Sequence, residues 1–304
     1  IQTSKGFRWN LDLNYGANSS KVVKLDDEGL ITSYQLYSSG IQILASVGEA
    51  YGTLFGTSYV RDANGNVVVD ANGLPKISTT NKTLGKFTPD WTGGISNTFS
   101  YRSLSLSFLI DASVGGSIFS NTNKTGKYTG VLANTLSGRD AEHGGLWYYT
   151  AAMGNNVRLP ESPSYSVSSD GLYYAQVNGQ STRVYQDGIM VEGVTESGSK
   201  NEEVVSAEKY YHRIYSIAEA NVYDASYVKL REVALSYRLP RLWTQKLHLQ
   251  EASVTLTGRN LWTIYKSVPN IDPESALTTG NAQGVEAYSL PTTRSFGVNL
   301  SVKF

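Results

Sequence analysis

The sequence predicts an all-β chain, a transmembrane antiparallel β-barrel, from three observations: alternating apolar and polar residues over long segments, strands of membrane-crossing length, and long connections that gather at one end of those strands. Alternation marks a sheet with two chemically different faces, because successive side chains of a strand point to opposite sides. The segments run to about ten residues, longer than the usual ~5–6 of a globular strand and close to the ~9–11 that a tilted strand needs to cross a bilayer.

The first segment places Phe7, Trp9, Leu11, Leu13 and Tyr15 on one face and Arg8, Asn10, Asp12 and Asn14 on the other. A weaker strand candidate lies near Ala45 to Tyr59, and another at Trp91 to Tyr101. Alternation is again strict at Leu104, Leu106, Phe108 and Ile110 against Ser103, Ser105, Ser107 and Asp111. It returns at Val233, Leu235, Tyr237 and Leu239 against Glu232, Ala234, Ser236 and Arg238, and more weakly over Ser253 to Ile264. The chain closes on Phe296, Val298, Leu300, Val302 and Phe304, interleaved with Ser295, Gly297, Asn299, Ser301 and Lys303. Aromatic residues sit towards the strand ends, as interfacial girdles require.

The connections carry direction. Ser100 to Ser103 has room only for a tight turn and Pro240 to Gln250 for a short link, whereas about 18–90, 116–225 and 265–293 are long. The middle one is too long for an ordinary connection in a compact domain and reads as external loop material with structure of its own. With Phe304 at the periplasmic rim, the last strand descends, 253–264 ascends, 227–239 descends, 103–114 ascends and 91–101 descends. Every long connection then lies outside, the pairing of short periplasmic turns with long extracellular loops found in outer-membrane barrels. A lysine or arginine on the lipid face at the midplane would cost ~2–4 kcal/mol, and the closing strand carries only Lys303, on its polar face near the rim.

Composition narrows the remaining classes. Lysine plus arginine and aspartate plus glutamate each number 26, so no basic field calls for nucleic acid. Cysteine is absent, which removes disulfides, thiolate metal sites and cysteine nucleophiles together. No run approaches ~18 apolar residues, so a transmembrane helix is excluded while a barrel is not. The first residues carry neither an initiator methionine nor a signal peptide, so the sequence reads as a piece of a longer chain.

Several segments resemble a known family. Asp224-Ala225-Ser226-Tyr227-Val228-Lys229-Leu230-Arg231-Glu232-Val233, continuing to Leu235-Ser236-Tyr237-Arg238-Leu239-Pro240, is similar to the late-barrel motif of SusC/RagA-like TonB-dependent outer-membrane transporters. Val254-Thr255-Leu256-Thr257-Gly258-Arg259-Asn260-Leu261-Trp262-Thr263 resembles that family's glycine-arginine-asparagine-leucine strand, and Asp272-Pro273-Glu274 its acidic-proline turn. Pro291 to Gly297 leads into a similar closing strand. Gly85 to Asp90, Gly93-Gly94 and Asn97 to Tyr101 resemble the family's hairpin, with Lys86 and Asp90 where asparagines are usual. The 116–225 stretch is not legible in this way.

The resemblance implies that residues 1–304 are the C-terminal portion of a barrel of about 22 strands, with the plug domain outside this chain. It also implies a SusD-like surface lipoprotein as cap, TonB engaged through an N-terminal part, outer-membrane lipid and the rest of the same barrel as partners, and an oligosaccharide or oligopeptide as cargo. The implied activity is active import at the outer membrane, with no catalysis, cofactor or metal. The alternatives are a surface β-sandwich that binds glycans without transport, and a passive porin-like barrel.

The remaining motifs are weighed singly. Asp62-Ala63-Asn64-Gly65 and Asp70-Ala71-Asn72-Gly73 suggest either calcium ligands or two β-turns. Turns are preferred, since an EF-hand loop from Asp62 would need glycine where Val67 stands. His143, His212 and His248 are too scattered for a metal site, and Asp140, Glu142, Glu202 and Glu203 read as solvated loop carboxylates. Trp147, Tyr148 and Tyr149 form an aromatic cluster, with Tyr173, Tyr174, Tyr210 and Tyr211 as further candidates of the same kind; they could contact substrate or lid, and burial as a loop anchor is the preferred role. The terminal strand Phe296, Val298, Leu300, Val302, Phe304 resembles the signal read by the barrel-assembly machinery.

Overall fold

The computed structural model describes residues 1–3, 6–159 and 163–304. Its main sheet is antiparallel and six-stranded, built from β1 (Phe7–Ala17), β2 (Trp91–Tyr101), β3 (Leu104–Val114), β4 (Tyr227–Arg238), β5 (Glu251–Lys266) and β6 (Ser295–Lys303), each paired with its neighbour in that order. The sheet is open, with β1 and β6 at its edges.

Register explains why alternation along each strand becomes a property of the whole sheet. Trp9 faces Phe99, which faces Leu106, and the row continues through Leu235 and Leu256 to Val298. Two residues away, Phe7, Tyr101, Leu104, Tyr237, Val254 and Leu300 form a parallel row. Between them runs Arg8, Ser100, Ser105, Ser236, Thr255 and Asn299, on the opposite face. A slip of one residue would move a whole strand's apolar set to the polar face, so a patterned face fixes register strongly. The apolar rows are not covered: Val298 is 72% exposed and Phe296 80%.

β2 explains why its alternation was weak to read. Gly93 and Asn97 occupy its apolar face, between Trp91, Ile95 and Phe99. Asn97 is nonetheless buried, its Oδ1 accepting from the Trp9 indole Nε1 at 3.1 Å, so the amide oxygen on that face is satisfied.

At the short-connection end, β2 turns into β3 at Tyr101–Leu104 with Arg102 in a left-handed conformation, and β4 is joined to β5 through a one-turn helix, α3 (Arg241–Lys246). The three long connections leave from the other end and fold on one another. The strand expected near Ala45 to Tyr59 is instead two, Gln42–Ser46 and Thr53–Gly56, because Gly48 and Gly52 take positive φ and turn the chain between them. They join Ser33–Ser38 and Lys82–Lys86 in a four-stranded sheet.

The 116–225 connection is densely structured, carrying a second six-stranded sheet and helices α1 (Asn121–Thr129) and α2 (Ala207–Tyr215). Each helix starts on a serine cap: Ser120 Oγ accepts from Asn123 N, and Ser206 Oγ from Lys209 N, satisfying amides the helix cannot pair. The three connections share one core, in which Ile41, Ile43 and Leu54 pack with Phe119, Ala218 and Val285.

Candidate functional site

The end of the sheet beneath these loops holds a cluster of charged side chains around the buried Lys229. Lys229 and Asp111 face one another on β4 and β3, on the polar face. Beyond Leu230 the ladder of β4 shifts register against both neighbours: against β5 the extra residue lies on β5, while against β3 Arg231 is an inserted residue. That bulge lets consecutive residues act on one side: Arg231 Nε donates to Asp111 Oδ1 at 2.8 Å and Glu232 accepts from Arg259 Nε at 2.8 Å.

The acidic partners arrive from the 265–293 connection. Lys229 Nζ, buried, donates to Asp272 Oδ1 at 2.6 Å and to Glu274, and Arg231 makes a forked contact with Glu274. Thr292 Oγ1 donates to Asp272 Oδ2 at 2.5 Å, and the Glu274 amide to Asp272 Oδ1 at 3.1 Å. Burial pushes the Asp272 carboxyl up, but these donors outweigh it and hold it at about 2. The same contest leaves Glu274 below the ordinary glutamate range: burial raises it, and Arg231 and Lys229 lower it further. The connection is therefore clipped to the polar wall of the sheet. Asp272-Pro273-Glu274 and the Tyr227–Arg231 stretch were legible in the sequence as similar to family motifs; their contact with each other was not.

A second clip involves the fully buried Glu286, which accepts from Ser120 Oγ at 2.7 Å and Thr122 Oγ1 at 2.6 Å, at the start of α1. A carboxylate there also meets the positive end of the helix dipole. Nothing in the spacing of the sequence marks Glu286, because its partners lie far away in the chain.

Within the loop layer, segments of two long connections line an open cleft of about 720 Å³ whose lining includes Tyr59, Tyr210, Tyr211, Lys127, Met190 and Glu192. Tyr211 spends its hydroxyl on the carbonyls of Asn134 and Ser137, both at 3.0 Å. Lys127 donates to Ala220 O at 2.7 Å, and burial pushes its ammonium down to about 8.

Of the aromatic residues singled out in the sequence, Tyr210 and Tyr211 line this cleft, whereas Trp147, Tyr148, Tyr149, Tyr173 and Tyr174 do not. Trp147 is buried, stacked on Tyr165 at 4.9 Å and edge-on to Tyr173 at 5.7 Å, in a core with Ala175, Val184 and Tyr149. Tyr148 is buried as well; it stacks on Tyr185 and donates to Asp187 at 3.2 Å, and burial with that carboxylate beside it raises the phenol above its ordinary range. Tyr174 is half-buried in the strand Tyr173–Val177. Phe296, Val298, Leu300 and Val302 project from β6 on the exposed apolar face, with Phe304 just beyond the strand.

Both aspartate-asparagine-glycine repeats are turns. Asp62 Oδ1 accepts from the amides of Asn64 and Asn66, Asp70 Oδ1 from those of Asn72 and Leu74, and Gly65 and Gly73 have φ of 86° and 78°. His143 pairs with Asp140 and His212 stacks on Tyr128, and among the described residues no group of three metal-ligating side chains converges.

Comparison with known proteins bears on the same geometry. No family model matches the sequence. TonB-dependent receptor P3 of Formosa agariphila is 25% identical over 99% of the chain, and TonB-dependent receptor P26 of the same organism 24% over 98%. This chain is similar to TonB-dependent receptors. It spans 27% of the length of each of these two receptors. The structure of the RagAB peptide importer in its closed-closed state matches the whole chain with a TM-score of 0.54 at 17% identity, over 28% of that chain. A structure described as the RagAB peptide transporter gives 0.55 at 15% identity. The fold is thus shared with these solved structures even though their sequences have diverged.

Proposed function

We propose that this chain forms part of the wall and outer mouth of an outer-membrane importer that takes up oligosaccharides or oligopeptides, is capped by a SusD-like surface lipoprotein and is driven through TonB. In this reading the complete barrel has about 22 strands around a plug, and the present chain supplies six of them. The observation that carries it is the set of apolar rows running unbroken across the sheet and left uncovered, with serine, threonine and asparagine on the reverse face.

Hydrocarbon offers backbone no hydrogen-bond partner, so a sheet that turns an apolar face to lipid must pair every strand, as a closed barrel does. A β-sandwich would have to bury Val298, Leu300 and Leu256 under a second sheet, yet all three are exposed. The similarity to TonB-dependent receptors and the shared fold with a peptide importer support energy-coupled uptake. The chain's own residues contribute positioning: the Lys229, Arg231, Asp272 and Glu274 clip holds one mouth segment against the lumen wall, and no bond of the cargo is made or broken.

The test is uptake of fluorescent oligopeptide and oligosaccharide pools by cells bearing the intact protein, with and without TonB. Import that stops when TonB is removed supports the reading; import that continues unchanged identifies a passive pore.

A further inference from the structure

We propose that α3 and the residues after it form a membrane-surface anchor that lies in the phospholipid headgroup layer at the short-connection end of the wall. The inference rests on the barrel reading above and adds to it a second contact with lipid, made outside the spanning strands.

The segment 240–250 joins two neighbouring antiparallel strands, a task for which two residues suffice. It is instead spent on a turn of helix whose side chains divide by face. At 100° per residue Leu242, Lys246, Trp243 and Leu247 fall on one arc, and Thr244, Arg241 and Gln245 on the other. Thr244 is buried against the protein, whereas Leu242, Trp243 and Leu247 are exposed, Leu242 by 73%. Soluble surfaces rarely gather large apolar side chains of this kind on so short a connection, and such a patch marks an interaction site.

Its position names the partner. α3 packs against β5, and at that end of β5 the buried residue is Ala252, which shares its face with Val254 and Leu256. Glu251 and Ser253, on the opposite face, are not buried. The helix is therefore seated on the apolar side of the sheet, and its exposed arc continues the band of Tyr101, Leu104, Tyr237 and Val302. Charge points the same way. Among the described residues Arg241 and Lys246 have no ion-pair partner, although Arg238 and Glu251 nearby satisfy each other at 2.8 Å. Two unpaired cations flanking leucine and tryptophan match a surface with phosphate above and acyl chain below, where lysine stems lie along the apolar layer and their charged heads reach out.

The experiment uses the intact protein in nanodiscs of phosphatidylethanolamine and phosphatidylglycerol. Nitroxide labels are placed singly at Leu247→Cys, Gln245→Cys and, in the wall, Val298→Cys, all at exposed positions. Each label's collision rate with oxygen is compared with that of a water-soluble nickel chelate. An interfacial arc predicts an oxygen-to-nickel ratio at Leu247 about tenfold above that at Gln245 and short of the ratio at Val298. Equal ratios at Leu247 and Gln245 with Val298 still lipid-exposed would overturn the anchor and leave the barrel standing. A label at Leu247 shielded from both reagents would assign the patch to another part of the protein and overturn it equally. Nickel access at Val298 would instead defeat the barrel reading itself.

Discussion

The wall and the loop layer bury their apolar side chains in opposite ways. In the wall, leucine, valine and phenylalanine stand in rows on the outside of a single sheet, and hydrogen-bonded ladders supply the order. In the loop layer the same residue types point inward: Ile43, Leu54, Phe119 and Val285 are fully buried in a shared core. One stretch of chain therefore carries apolar side chains outward in one region and inward in the other, and the boundary between them lies where the Lys229–Asp272 clip fastens loop to wall.

That comparison can be broken or sharpened by substitution in the intact protein. Phe119→Ala should cost about 3–5 kcal/mol through lost packing and a cavity, seen as faster hydrogen exchange at 41–56 and 117–120 while the wall amides stay protected. Equal loss in the wall would mean that the two regions are one cooperative unit. If the apolar face meets lipid as proposed, Val298→Arg should cost about 2–4 kcal/mol in a denaturant titration in lipid, and Asn299→Arg, one residue on and on the opposite face, much less.

The clip comes next in size. Asp272→Asn keeps the shape and loses the charge-assisted bonds, for about 1.5–3 kcal/mol, read as increased protease cleavage within 267–293. Because the Asp272 carboxyl is held at about 2, below its ordinary value of 3.8, its contribution is fully present above pH 4 and is lost as pH falls through 2. The wild-type segment should accordingly resist an acid-tolerant protease at pH 4 and yield near pH 2. In the asparagine variant that difference should shrink.

The smallest effects fall in the turns. Gly65→Ala should cost about 1–2 kcal/mol for its left-handed φ alone, since nothing crowds the new methyl. Gly73→Ala should cost more, because its Cβ would stand 2.7 Å from that of Glu203. Thermal melting of the two variants separates the cases.

What could be read in the sequence follows the same division. The wall strands were legible because one covalent period, two residues, generates both the pattern and the face; β2 and β5 were read more weakly, β2 because Gly93 and Asn97 blur its apolar face. The loop layer obeys no period. Its core pairs Ile43 with Phe119 and Val285, and Glu286 with Ser120, across distances in sequence that spacing does not encode. Local chemistry was readable even there, as the two aspartate-asparagine-glycine turns illustrate. The aromatic cluster was found, but its burial depends on the strands Leu146–Thr150 and Tyr173–Val177 meeting through a third, Gln180–Met190.

Photolabelling with a diazirine carried on a lipid acyl chain, in the intact protein in bilayers, tests the central division most directly. The account predicts adducts on Val298 and Leu300 and none on Asn299 and Ser301. Adducts on the asparagine and serine with the valine and leucine spared would contradict it.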